Sequence, residues 1–236
     1  MKITVIFDSV SARKDLSTGW GVSFIINDKV LFDTGEKGAY LIKNLSALKI
    51  NTGAIESAVI SHDHWDHQGG LWALLEKTKH LKVYACPGFS KEFKARVSSG
   101  GGRLIEAGAF TKIAKDVYIT GEIAGEYASQ YMPEQALVLK TRRGLAILTG
   151  CAHPGIIKII ENVRKNTSGT IYLVGGGFHL IDSPQSTVAS IIEKFRCLEV
   201  KKVAPLHCTG KEAAALFKEA YGDDFIEAKA GQTIVV

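Results

Sequence analysis

Histidine placement constrains this chain more than any other feature. Of its seven histidines, six lie in four short segments, each just past a predicted strand. His62, His64 and His67 follow Val59-Ile60; His153 follows Ala146-Ile147-Leu148; His179 follows Tyr172-Leu173-Val174; His207 follows Val203-Ala204. Residues beyond strand C-termini converge on one edge of a sheet, where α/β proteins build their sites. Only His80, after Lys77-Thr78-Lys79, reads as an ordinary surface histidine. The segment Ser61-His-Asp-His-Trp-Asp-His-Gln-Gly-Gly70 packs three histidines and two aspartates into six residues, far too polar for a core. Imidazole and carboxylate are the ligand set for zinc, iron or manganese, and one short loop delivers several with little further ordering.

The rest of the pattern supplies the strands that such a site requires. β-Branched and aromatic runs predict strands at Lys2–Phe7, Val22–Ile26, Lys29–Phe32 and Ala58–Ile60, with a hairpin turn at Asn27-Asp28. Apolar residues at helical spacing predict helices over Lys37–Leu48 and Leu71–Lys79. The second half repeats this grammar. Strands are predicted at Ala136–Lys140, Leu145–Leu148, Thr170–Val174, Val200–Ala204 and Thr233–Val235, and helices over Gly155–Lys165, Gln185–Phe195 and Lys211–Ala220. Two such halves imply two sheets packed together with helices outside. Cys86 to Met132 is the least legible stretch, and Ser98-Ser99-Gly100-Gly101-Gly102 within it reads as a flexible loop.

Composition removes several classes of function. Hydrophobic content of 46% and charged content of 22% exclude disordered and fibrous chains. No apolar run reaches the length of a membrane span. Four widely spaced cysteines with no CxxC pair, and no export signal before Asp8, point to reduced thiols in a cytoplasm. The net charge of +5 comes from scattered lysines and arginines without interleaved stacking groups, which argues against nucleic acid and suits a small anionic substrate. A homo-oligomer stays open. Gly175-Gly176-Gly177 has backbone amides that suit a phosphate but lacks dinucleotide or Walker spacing.

His62-x-His64-x-Asp66-His67 resembles the HxHxDH motif of the metallo-β-lactamase superfamily, and Val30-Leu-Phe-Asp-Thr-Gly35 extends the resemblance upstream. Trp20-Gly-Val-Ser23, Thr149-Gly-Cys-Ala-His-Pro-Gly-Ile156, Gly176-Gly-Phe-His179 and Pro205-Leu-His-Cys-Thr-Gly210 are similar to its dihydropterin-ribofuranosylaminobenzene-phosphate synthase-like group of metal-dependent hydrolases. The resemblance implies an α/β fold, an αββα sandwich of two mixed β-sheets with outer helices, as a single domain over 1–236. It implies two divalent transition-metal ions, zinc first and iron or manganese as alternatives. His62, His64 and His153 would hold one ion; Asp66, His67 and His207 the other. Three imidazoles leave a tetrahedral ion an open position for water, as catalytic zinc requires.

The implied activity is hydrolysis by a metal-bound hydroxide of a small anionic substrate, a phosphoester, lactone or related ester. A transferase of pterin-type biosynthesis with a pyrophosphate leaving group is the alternative, and a non-catalytic metal-sensing or interaction module the third reading. Asp66 and His179 are the catalytic candidates. His179 stands where most two-metal members place a bridging aspartate. A neutral imidazole has one free lone pair and cannot bridge, so the second site is expected to be partly occupied. Asp182 is expected to cap the Gln185 helix, Asp33 to orient the histidine loop, and Trp65 to wall the pocket. Cys151 and Cys208, each beside a candidate ligand, read first as small buried cysteines and second as thiolate ligands.

Overall fold

A computed structural model describes all residues, Met1–Val236, and the chain divides into two compact units, 1–108 with 229–235, and 109–228 with 236. The first unit is built on a seven-stranded mixed sheet in the order β15-β1-β2-β3-β4-β5-β6. Its strands are β1 (Lys2–Phe7), β2 (Ser23–Ile26), β3 (Val30–Phe32), β4 (Ser57–Val59), β5 (Lys82–Ala85), β6 (Arg103–Glu106) and β15 (Thr233–Val235). β15, β1, β2 and β3 pair antiparallel, whereas β3 to β6 run parallel. Helices α1 (Gly38–Ala47), α2 (Trp65–Gln68), α3 (Leu71–Lys77) and α4 (Lys91–Ser99) lie in the crossovers. Leu41 and Leu45 of α1, Leu71, Leu74 and Leu75 of α3, and Phe93 and Val97 of α4 join Ile25, Leu31, Ala58 and Val83 of the strands in one core. β2 and β3 are buried throughout, as central strands covered on both faces must be.

The second unit has a six-stranded mixed sheet in the order β14-β13-β12-β11-β8-β7. Its strands are β7 (Thr111–Ala114), β8 (Val117–Ile119), β11 (Leu137–Thr141), β12 (Gly144–Thr149), β13 (Ile171–Gly176) and β14 (Lys202–Pro205). β9 (Glu126–Tyr127) and β10 (Gln130–Tyr131) form a separate hairpin. α5 (Ile156–Asn166), α6 (Gln185–Cys197) and α7 (Lys211–Tyr221) bury Ile159, Ile160, Val163, Val188, Phe195 and Phe217 against Val138, Ile147 and Val174. Phe178, Phe195 and Phe217 pack edge-to-face at 5.5 to 5.7 Å, a geometry that adds to their area burial. No helix is long and apolar enough to cross a membrane.

Two local expectations are corrected. Ser98 and Ser99 close α4 instead of opening a loop, because Ser90 caps its start by accepting from Phe93 N at 3.1 Å. Asp182 does not cap α6. The cap position is Pro184, with no side-chain cap bond, and Asp182 is exposed.

Tyr221 gives the second unit an alkaline limit. Burial, with Asp224 nearby, pushes its phenol up to about 12 against a partial opposing effect of Arg196, and its hydroxyl has no hydrogen-bond partner. An acid whose folded value lies above its unfolded one holds its proton longer in the fold, so stability is present below about pH 10 and falls as pH rises towards 12. Tyr221→Phe should leave stability at neutral pH within about 1 kcal/mol of wild type and flatten the alkaline fall, measured by urea unfolding across that range.

Candidate metal centre

In the first unit the site grows from the C-terminal ends of parallel β3 and β4. Asp33, just past β3, is wholly buried and has φ of 55°. Its Oδ1 accepts from the Ser61 backbone N–H at 2.7 Å. Its Oδ2 accepts from the Ser61 hydroxyl at 2.7 Å and from His67 Nδ1 at 2.7 Å. The DTG turn also grips the histidine segment through Thr34, whose N–H and hydroxyl both donate to the His67 carbonyl at 2.8 Å. Gly69 and Gly70 permit this approach, since a Cβ on either would stand 2.0 Å from the Glu36 oxygen or 2.2 Å from the Thr34 oxygen.

These bonds fix the histidine tautomers. His67 gives its Nδ1 proton to Asp33, which leaves Nε2, 3.3 Å from Asp66 Oδ2, as the nitrogen that a proton or a metal ion can occupy. Two lone pairs at that separation repel unless a positive charge lies between them. Burial opposes a charge on His67, yet Asp33 and Asp66 outweigh it and hold the imidazole well above its ordinary pKa. The field at this position favours a cation. The Ser61 hydroxyl donates to Asp33 and so accepts from His62 Nδ1 at 2.9 Å, which turns the His62 Nε2 lone pair towards His64 Nδ1 at 3.0 Å. The His62 ring lies 4.7 Å from that of His64 and 4.1 Å from that of His67. Oriented lone pairs beside a buried carboxylate fit a transition-metal ion. Asp63 plays a structural part, accepting from Gln68 and from Ser90 N, while Trp65 is 60% exposed.

In the second unit the candidates again follow parallel strands: His153 after β12, His179 after β13 and His207 after β14. His207 is buried, His153 half-buried and His179 exposed. The His153 loop is held by Glu134, to which the sequence alone assigns no role. Its Oε1 accepts from the N–H groups of Gly150, Cys151 and Ala152 at 2.9 to 3.1 Å, and its Oε2 from His153 N at 2.8 Å. Tyr127 stands edge-on to the rings of His153 at 5.1 Å and His179 at 5.7 Å. His179 is held above its usual pKa chiefly by hydrogen bonding to Cys208. Cys208 is held well below its own: burial opposes this, and hydrogen bonding with Cys151 and His179 overcomes it. The Gly176 and Gly177 backbones are packed against Thr149 and Gly150, so these glycines serve close strand contact.

The metallo-beta-lactamase superfamily model matches residues 21–134. The 7,8-dihydropterin-6-methyl-4-(beta-D-ribofuranosyl)-aminobenzene-5'-phosphate synthase of Methanocaldococcus jannaschii is 28% identical, over 91% of this chain and 89% of its own. An uncharacterised protein of the same organism is 27% identical over 98% of this chain and 99% of its own. A solved metal-dependent hydrolase of the beta-lactamase superfamily superposes with a TM-score of 0.84 at 28% identity, covering 100% of this chain and 99% of that one. The family model, the fold and the whole-length likeness all point to similarity with the metallo-β-lactamase superfamily.

Proposed function

We propose that the protein is a metal-dependent hydrolase of a small anionic ester. The metal ligands carried over from the resemblance are His62, His64, Asp66, His67, His153, His179 and His207. The observation that carries this reading is the Asp33 network, which commits the Nδ1 protons of His62 and His67 and directs their Nε2 atoms at His64 and Asp66. Bound ions, zinc first and iron or manganese as alternatives, supply water that ionises near neutral pH and charge stabilisation for a leaving oxygen. Asp33 and Ser61 hold the imidazole protons, and Glu134 holds the loop that presents His153. Exposed His179 orients the substrate, and the Tyr127 ring shields one side of His153 and His179 from water.

The purified protein should carry about one to two transition-metal ions per chain by elemental analysis. None after metal supply under non-chelating conditions would end this reading. As the resemblance divides the ligands, His64→Ala should strip the first ion. Asp66→Ala should spare much of it while abolishing turnover on whichever of a phosphomonoester, phosphodiester, lactone or thioester is cleaved.

A second reading is favoured by the likeness to the M. jannaschii synthase. It is transfer of a pterin group with departure of pyrophosphate. Incubation with a dihydropterin pyrophosphate and a ribofuranosylaminobenzene phosphate separates the two: a coupled product marks the transferase, and ester cleavage without it the hydrolase.

A further inference from the structure

The second unit holds two sulfur donors that the histidine assignment leaves idle. Cys151 and Cys208 are 4% and 2% exposed. Cys151 Sγ, Cys208 Sγ and a ring nitrogen of His207 all lie within 4.8 Å of one another. Cys151 Sγ also lies within 4.8 Å of ring nitrogens of His153 and His179, themselves equally close together. Each cysteine arrives on a different strand-end loop, Cys151 after β12 and Cys208 after β14, so the cluster is a product of the fold. Gly177 makes room for it: a Cβ there would lie 2.5 Å from Cys208 Sγ, so glycine is what admits the sulfur. A cysteine serving only as small apolar filler packs its sulfur among carbon atoms. Here the sulfurs face each other and three imidazoles.

We infer that Cys151 and Cys208 are thiolate ligands that, together with His207, hold a thiophilic transition-metal ion in the second unit. The inference rests on the proposed metal-dependent reading for the presence of an ion, and adds that its donor set contains sulfur. On loading, the two S–H bonds break, two sulfur–metal bonds form and two protons pass to solvent, with no change of oxidation state. Soft donors of this kind select zinc, cobalt or copper(I) over magnesium and manganese.

Cobalt(II) titrated into metal-free protein tests this directly. A thiolate-to-cobalt charge-transfer band should appear in the near ultraviolet, withstand excess magnesium and manganese, and vanish on adding zinc. Cys151→Ser or Cys208→Ser should each lower the band by roughly half, one sulfur of two being gone, and the double variant should remove it. Cys197→Ser, at the exposed end of α6, should leave it intact. Should the variants fail to fold, X-ray absorption at the zinc edge of the wild type reads the same feature, as sulfur scatterers at about 2.3 Å. Bound metal with no charge-transfer band, or a shell of nitrogen and oxygen alone, overturns the thiolate inference and leaves the hydrolase reading standing. A chain that binds no metal overturns both.

Discussion

Asp33→Asn should weaken zinc binding by about 10–100-fold, measured by competition with a chromophoric chelator. The amide keeps one oxygen for the Ser61 N–H, and asparagine accepts the φ of 55° at this position. Its NH2 now faces the Ser61 hydroxyl and His67 Nδ1, where a carboxylate oxygen accepted from both. Both partners must reverse. His67 moves its proton to Nε2, directly opposite Asp66, and Ser61 turns to donate to His62 Nδ1, which sends that proton to Nε2 as well. Two lone pairs aimed at a metal become two N–H groups. Asp33→Ala adds a left-handed strain of about 1–2 kcal/mol. It also leaves three buried donors unsatisfied, for a total loss above about 3 kcal/mol in urea unfolding. Unchanged zinc affinity in Asp33→Asn would refute the tautomer argument.

Glu134→Ala should be of similar size in the second unit. The side chain is wholly buried and collects four backbone N–H groups from Gly150 to His153. Removing it strands all four at about 1–3 kcal/mol for each one left dry. Relaxation of the loop makes the sum less than additive, so a loss above about 3 kcal/mol is expected. Glu134→Gln keeps the oxygen that serves three of the four and turns an NH2 towards His153 N; it should cost about 1–3 kcal/mol. Unfolding of the two variants side by side checks the order. Equal losses would mean that the charge, and not the bond count, holds the loop.

The strands and helices that frame the site were legible because their burial is written in period and β-branching. β1 and β15 fall at Lys2–Phe7 and Thr233–Val235 as read, and α1, α3, α5, α6 and α7 within two residues of their predicted ends. The histidine loop was legible because imidazoles and carboxylates crowded into six residues repel or waste one another unless they share a cation. Glu134 was not, since its partners are backbone N–H groups 16 to 19 residues away, which leave no pattern in side-chain identity. Neither was the stretch from Cys86 to Met132. α4 buries only Phe93 and Val97, and β9 and β10 are two residues each, too short for periodicity to register. The purpose of the glycines at 175–177 was not legible for a related reason. Close packing and anion binding call for the same missing side chain, and the close approach of the Thr149 and Gly150 oxygens to Gly176 and Gly177 appears only in the fold.

The β9–β10 hairpin is paired only with itself, and its turn residues Ala128 and Ser129 have φ of 49° and 61°. Its outward contacts include a Tyr131 hydroxyl bond to Glu122 at 2.7 Å and the edge contacts of Tyr127. An isolated two-stranded ribbon without a buried face has almost no cooperative stability of its own. Its amide hydrogens should therefore exchange through local opening, orders of magnitude faster than those of β11 and β12 beside it in the chain. Each opening uncovers the edge of half-buried His153, so access of solvent and solutes to that ring is coupled to the breathing of a ribbon that global unfolding measurements never register.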